Sequence, residues 1–158
     1  MRLLWMGLFS FGIVAADQIT KYLVVANIPL YAQEAFLPEI LSLTYVQNTG
    51  AAFSLLSGQR WLFVAVFAVL TGLLLWEYFK KPLPFSTFER WCIAAIYGGG
   101  LGNALDRIFR GYVVDMLKTD FIRFPVFNVA DCFITCGCIA LIFSLVFLNK
   151  GFWKEETK

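Results

Sequence analysis

Leu3-Leu4-Trp5-Met6-Gly7-Leu8-Phe9-Ser10-Phe11-Gly12-Ile13-Val14-Ala15-Ala16-Asp17-Gln18-Ile19-Thr20-Lys21-Tyr22-Leu23-Val24-Val25-Ala26 is an apolar run broken only by Asp17-Gln18-Ile19-Thr20-Lys21. Two readings compete for it. Arg2, the apolar start and Val14-Ala15-Ala16 before Asp17 fit a cleavable signal peptide. The apolar character resumes at Tyr22, however, and gives a stretch long enough to cross a bilayer, which takes about 20 residues. The second reading is adopted, and it leaves a carboxylate and an ammonium at membrane depth. Such groups cost roughly 2.5–3.5 kcal/mol each on insertion scales, so they ask for a functional reason.

The rest of the chain agrees with a membrane protein. Of 158 residues, 59% are hydrophobic and only 15% charged, against about 25% charged in soluble domains. Three further runs can span, about 61–79, 88–108 and 129–149, with Trp5, Trp61, Trp76, Trp91 and Trp153 near segment ends as interfacial anchors. The expectation is an all-α, four-helix integral-membrane domain covering 1–158, with a small, partly β link between helices 1 and 2. Seven Lys and Arg (Arg2, Lys80, Lys81, Arg90, Lys150, Lys154, Lys158) oppose five (Arg60, Arg107, Arg110, Lys118, Arg123). That bias puts both termini in the cytoplasm and the links 27–60 and 109–128 outside.

Under this topology four carboxylates collect at one membrane level. Asp17 and Asp106 fall in the outer halves of helices 1 and 3, Asp131 in the first turn of helix 4, and Asp115 in the link before it. Asn48, Asn103, Arg107 and Asn128 join them. Two carboxylates close together cannot both ionise easily, so one keeps a proton while its partner stays charged. Such a pair can draw a proton from water and give one to a carbonyl oxygen. Asp115 and Asp131 are the best pair, each read as lying at a loop–helix junction open to water. Asp17, with Lys21 at i+4, and Asp106, beside Arg107, read as charge-balanced structural members.

Other chemistries weaken on inspection. The chain has no His, which removes Ser-His-Asp and Cys-His nucleophile systems, His-based zinc helices and imidazole proton switches. A net charge of +2 without a basic tract gives no reason to expect nucleic acid. Cys132 and Cys136 can share a helix face with Cys92 and Cys138 nearby in the spans, but buried Cys usually acts as a small hydrophobe, and packing is the expectation. A Ser–Lys dyad from Lys21 with Ser54 loses to pairing of Lys21 with Asp17. Gly98, Gly99, Gly100 and Gly102 read as close helix packing rather than a phosphate loop. A proton or cation relay in a small transporter, and an assembly chaperone, are the rival functions; neither midplane placement nor inverted repeats favour the relay.

Five ordered blocks then carry a resemblance over nearly the whole chain. They are Asp17-Gln-Ile-Thr-Lys21, Gln47-Asn-Thr-Gly-Ala-Ala-Phe53, Gly99-Gly-Leu-Gly-Asn-Ala-Leu-Asp-Arg107, Gly111-Tyr-Val-Val-Asp115 and Phe124-Pro-Val-Phe-Asn-Val-Ala-Asp131. The chain resembles the lipoprotein signal peptidases of bacteria, with Asn48-Thr49-Gly50, Met116 and Cys132 as small departures. The resemblance implies an intramembrane aspartyl endopeptidase, independent of metal or other cofactor, that cuts a diacylglyceryl-modified prolipoprotein just before its lipidated Cys. It implies Asp115 and Asp131 as the catalytic dyad. Asn48, Gly50, Asn103, Arg107, Asn128 and Ala130 become substrate-binding residues, supported by Asp17, Lys21 and Asp106. The implied partners are the prolipoprotein and membrane lipid. The implied setting is a monomer in the bacterial cytoplasmic membrane, its site on the extracytoplasmic side.

Overall fold

A computed structural model describes residues 2–51, 55–80, 83–149 and 152. Phe53, Ser54, Lys81, Lys150, Trp153, Lys154 and Lys158, used above for motif, dyad, anchoring and topology, lie outside the described residues. Four helices form where the apolar runs fall: α1 (Arg2–Asn27), α2 (Arg60–Lys80), α3 (Thr87–Phe109) and α4 (Val129–Phe143). A π-helical turn, Ser144–Leu148, continues α4. In lipid every backbone N–H and C=O must be satisfied within the chain, and these helices do so internally.

The helix α3 is the axis of the bundle, packed against α1, α2 and α4. Its glycines let the neighbours come close. A Cβ on Gly99 would stand 2.5 Å from the Ala130 carbonyl oxygen, and one on Gly102 would stand 2.6 Å from Asp17 Oδ2. By contrast, α2 touches the bundle through α3 and buries none of its own residues. The length and apolarity needed to span belong to α1, α2 and α4 with its π turn. Charged Glu89, Arg90, Asp106 and Arg107 keep α3 out of that group, and of its polar residues Glu89, Asn103 and Asp106 are buried in protein.

The connecting segments build a three-stranded antiparallel sheet in the order β1-β2-β3. Strands β1 (Gln33–Leu37) and β2 (Leu41–Asn48) come from the 27–60 link, as expected. The third strand, β3 (Val113–Thr119), comes from the link between α3 and α4, which the sequence reading left as loop. Val46 pairs with Asp115 and Asn48 with Val113. Tyr45 on β2 and Val114 and Met116 on β3 form a buried cluster with Val24 and Ile28 at the end of α1, which fixes the sheet on the bundle. Asp115 therefore sits in the middle of a strand, not at a loop–helix junction. Beyond β3 the chain doubles back, and Phe127 exchanges backbone hydrogen bonds with Leu117 (2.7 and 3.1 Å). That return lays Asn128 beside Asp115.

Candidate active site

The N-terminus of α4 is built by a reciprocal cap. The Asn128 side-chain oxygen accepts from the Asp131 amide at 2.9 Å, while Asp131 Oδ2 accepts from the Asn128 amide at 3.1 Å. Two of the helix's orphan N–H groups are thereby satisfied, and the Asp131 carboxylate is held at a fixed rotamer. Asn128 Nδ2 donates in turn to Asp115 Oδ1 at 2.7 Å and to Asn103 Oδ1 at 3.1 Å. Asn103 Nδ2 donates to Asp131 Oδ1 at 2.8 Å. Asn48 Nδ2 reaches Asp115 Oδ2 at 2.9 Å. Both carboxylates are thus tied into one chain of amides contributed by β2, α3, β3 and α4.

Behind this chain lies a buried ion cluster. Lys21 Nζ is 2.8 Å from Asp17 Oδ2 and 2.9 Å from Asp106 Oδ2, and it donates to Asn103 Oδ1 at 3.0 Å. Its three N–H donors meet three acceptors, which a fully desolvated ammonium requires. Each flanking carboxylate does a second task. Asp17 Oδ1 accepts from the Ala130 amide at 3.0 Å, and Asp106 Oδ2 accepts from the Val114 amide at 3.1 Å. Ala130 and Val114 immediately precede Asp131 and Asp115, so one ammonium holds the backbone beneath both members of the pair. The sequence reading paired Asp106 with Arg107. Instead Asp106 turns to Lys21 and, on its other oxygen, to Arg110 Nε at 3.3 Å.

Arg107 projects about 100° further round α3 than Asp106, as adjacent positions of a helix with roughly 3.6 residues per turn do. Its Nη2 donates to the Gly50 carbonyl at 2.8 Å, and its guanidinium stacks over the Phe63 ring at 4.4 Å. The start of the link after β2 is thereby pinned to α3. Gln18 was quoted in a motif without a role. It bridges Asp17 Oδ2 (3.2 Å), the Gly102 carbonyl (3.2 Å) and Asp106 Oδ1 (3.3 Å). Its i+1 position beside Asp17 was the only signal.

The two carboxylates open into a cleft of about 710 Å³ whose walls include Asn48, Gly50, Asn103, Arg107, Asp115 and Asp131. Phe63 of α2 stands on one side and Ile134, Thr135 and Cys136 of α4 on the other, with α3 as the floor. Both α2 and α4 lean on α3, and both line the cleft. Asn128 and Ala130 are fully buried behind it. Of the expected substrate-binding set, four residues therefore face the cleft and two support it. Cys132 also lines the wall, whereas Cys92 is buried in the helix packing.

Burial pushes the Asp115 carboxyl from its ordinary 3.8 up to about 6, and the nearby Asp131 charge adds to the rise. Hydrogen bonds from Asn48 and Asn128 pull against it. The Asp115 carboxyl therefore keeps its proton to a higher pH than an ordinary carboxylate does.

Comparison with known proteins gives the chain a family. The family model for signal peptidase (SPase) II matches residues 9–147. The lipoprotein signal peptidase of Streptococcus pyogenes serotype M6 is 40% identical over 144 residues, 91% of this chain and 90% of that protein. The lipoprotein signal peptidase of Streptococcus agalactiae serotype Ia is 40% identical over 159 residues, covering 99% and 97% of the two chains. Two solved structures, each described as a bacterial membrane enzyme determined by the in meso method, superpose with TM-scores of 0.81 and 0.79. They share 30% and 31% identity, with 96% and 89% of this chain and 93% and 91% of theirs covered. The match takes in all four helices and all three strands, from Asp17 on α1 to the carboxylate pair and the length of α4: the chain belongs to the signal peptidase II family.

Proposed function

We propose that this chain is an aspartyl endopeptidase that removes signal peptides from diacylglyceryl-modified prolipoproteins, cutting just before the lipidated Cys. The observation that carries this reading is the pair Asp115 and Asp131, oriented by Asn48, Asn103 and Asn128 at the head of a cleft open between α2 and α4. A signal helix enters that opening from the bilayer, and α3 is counted as a fourth span shielded by its neighbours. Both termini face the cytoplasm, the sheet and the cleft face outward, and one copy of the chain supplies every site residue.

The chemistry needs only the two carboxylates and water. The ionised Asp takes a proton from a water held between the pair, and the oxygen attacks the scissile carbonyl carbon. The protonated Asp gives its proton to the carbonyl oxygen, forming a tetrahedral diol. Collapse breaks the C–N bond: the leaving nitrogen takes the proton of one Asp, and a hydroxyl of the diol returns its proton to the other. General acid–base catalysis of this kind contributes about 10²–10⁴ in rate. Asn48, Gly50, Asn103 and Arg107 face the substrate, while Asn128 and Ala130 position Asp131.

The test is cleavage of a diacylglyceryl prolipoprotein by purified protein beside Asp115→Asn and Asp131→Asn. Each variant is expected to keep its fold and to lose at least about 10³ in kcat. A variant with near-normal turnover overturns the dyad. An unaltered protein that never cuts a lipidated substrate overturns the peptidase and returns the carboxylates to a relay.

A further inference from the structure

A second cleft, also about 710 Å³, lies outside the first. It runs over the sheet between the end of β2 (Val46–Thr49) and the segment 118–126. The two clefts share Asn48, Asp115 and the Phe124–Val126 wall, so Asp115 stands at their junction. Their characters differ. The inner one is walled largely by apolar side chains, among them Phe63, Ile134 and Val113. The outer one is lined by Gln47, Thr49, Lys118, Thr119, Asp120 and Arg123.

A peptide cut just before a lipidated Cys has a related asymmetry, apolar through that residue's acyl chains and polar only in the residues beyond it. We infer that the outer groove binds the first residues of the mature chain, and that Arg123 with Lys118 selects for acidic side chains there. The inference rests on the peptidase reading above and adds a subsite to it. Asp115 and Lys118 are three strand residues apart, about 10 Å at 3.3 Å per residue, which sets Lys118 level with roughly the third or fourth residue after the cut, with Arg123 on the same groove.

The charges in the groove are not equivalent. Asp120 is committed to the sheet, accepting from Ser42 Oγ and from Gln33 Nε2. Lys118 also donates to Gln33, at 2.6 Å through Oε1, and remains half-buried on the groove wall. Arg123 is exposed, and among the described residues its guanidinium makes no ion pair. Its charge is the one left for a ligand.

The experiment uses purified full chain and two diacylglyceryl prolipoproteins, identical except for Asp or Lys at the second to fifth residues from the lipidated Cys. Unaltered protein is expected to favour the acidic substrate. Arg123→Glu should lower the acidic-to-basic ratio of kcat/KM about tenfold, since attraction turns to repulsion on one substrate and the reverse on the other. The change belongs in KM and shrinks in high salt. An unchanged ratio with both substrates still cut overturns the groove and leaves the peptidase standing. A ratio that follows the charge of the bilayer lipid instead of the substrate assigns the cations to headgroups and overturns the groove as well. If the unaltered protein cuts neither substrate, the peptidase reading falls and takes the subsite with it.

Discussion

Two buried carboxylate clusters stand at opposite ends of α3, and only one is a site. At the C-terminal end, outer in the proposed topology, Asp17 and Asp106 share the Lys21 ammonium, and a net of amides links it through Asn103 to Asp115 and Asp131 beside an open cleft. At the N-terminal end, inner in the proposed topology, Glu89 is equally hidden from solvent, yet among the described residues its partners are all neutral donors. It accepts from the Ser86 amide at 2.7 Å, from Ser144 Oγ at 2.8 Å and from Asn149 Nδ2 at 2.8 Å. That cluster caps α3 and ties it to the π turn after α4, and neither cleft reaches it. Burial of a carboxylate in a membrane helix is therefore a weak sign of chemistry by itself. A second carboxylate within a shared network, and space for substrate, make the difference.

The largest expected effect separates the clusters by their need for charge balance. Lys21→Met strands Asp17 and Asp106 as uncompensated buried acids, and breaking such a pair costs about 3–5 kcal/mol. Denaturant unfolding in detergent, followed by tryptophan fluorescence, should register that loss together with loss of cleavage. A cost below about 1 kcal/mol means that the two acids fold in their neutral forms.

The second effect has the opposite sign. With its folded pKa raised from 3.8 to about 6, Asp115 favours the native state while protonated, and that advantage fades as pH rises from about 4 through 6. Above that range the ionised group costs up to about 3 kcal/mol. Asp115→Asn removes this cost, while its amide offers one acceptor fewer to the Asn48 and Asn128 donors, a loss of about 1 kcal/mol. The inert variant should thus be more stable by about 1–2 kcal/mol at pH 7.5, with the gap closing toward pH 4. Thermal unfolding at both pH values checks it, and equal stability at pH 7.5 contradicts a strained Asp115.

The smallest effect tests the inner cluster. Glu89→Ala leaves the Ser144, Asn149 and Ser86 donors without their acceptor and should cost about 1–3 kcal/mol; Glu89→Gln should cost less than about 1 kcal/mol. Both are expected to cleave within twofold of the unaltered protein. A large loss of turnover by Glu89→Gln with normal unfolding would break the contrast between the two ends.

Much of this plan was legible in the residues. The apolar runs placed all four helices within a few positions, because their length and continuity depend on local composition alone. The convergence of Asp17, Asp106, Asp115 and Asp131 followed from counting residues along those helices. Strand β3 was missed because Val113-Val114-Asp115 is short and its partner, β2, lies far back in the sequence. The link from Lys21 to Asp106 is also non-local, so the cation beside Asp106 in sequence was chosen over the one beside it in space. Two local signals were available and unused. Ser86-x-x-Glu89 and Asn128-x-x-Asp131 both have capping-box spacing, and the second fixes the orientation of a candidate catalytic group.

The long reach of Lys21 and Asp17 has a consequence for how the protein comes into being. Asp17 and Lys21 emerge early during synthesis, whereas Asn103, Asp106 and Ala130 lie 82 to 113 residues downstream of the groups they bond. Until those residues arrive, the i,i+4 ion pair within α1 is the partner each has at hand, and it lets a charged first helix enter the bilayer as a nearly neutral one. Arrival of α3 and α4 then re-divides the ammonium among three acceptors and pulls the segments preceding Asp115 and Asp131 into place. Hydrolytic competence is thereby a property of the finished chain, withheld from every partly inserted form of it.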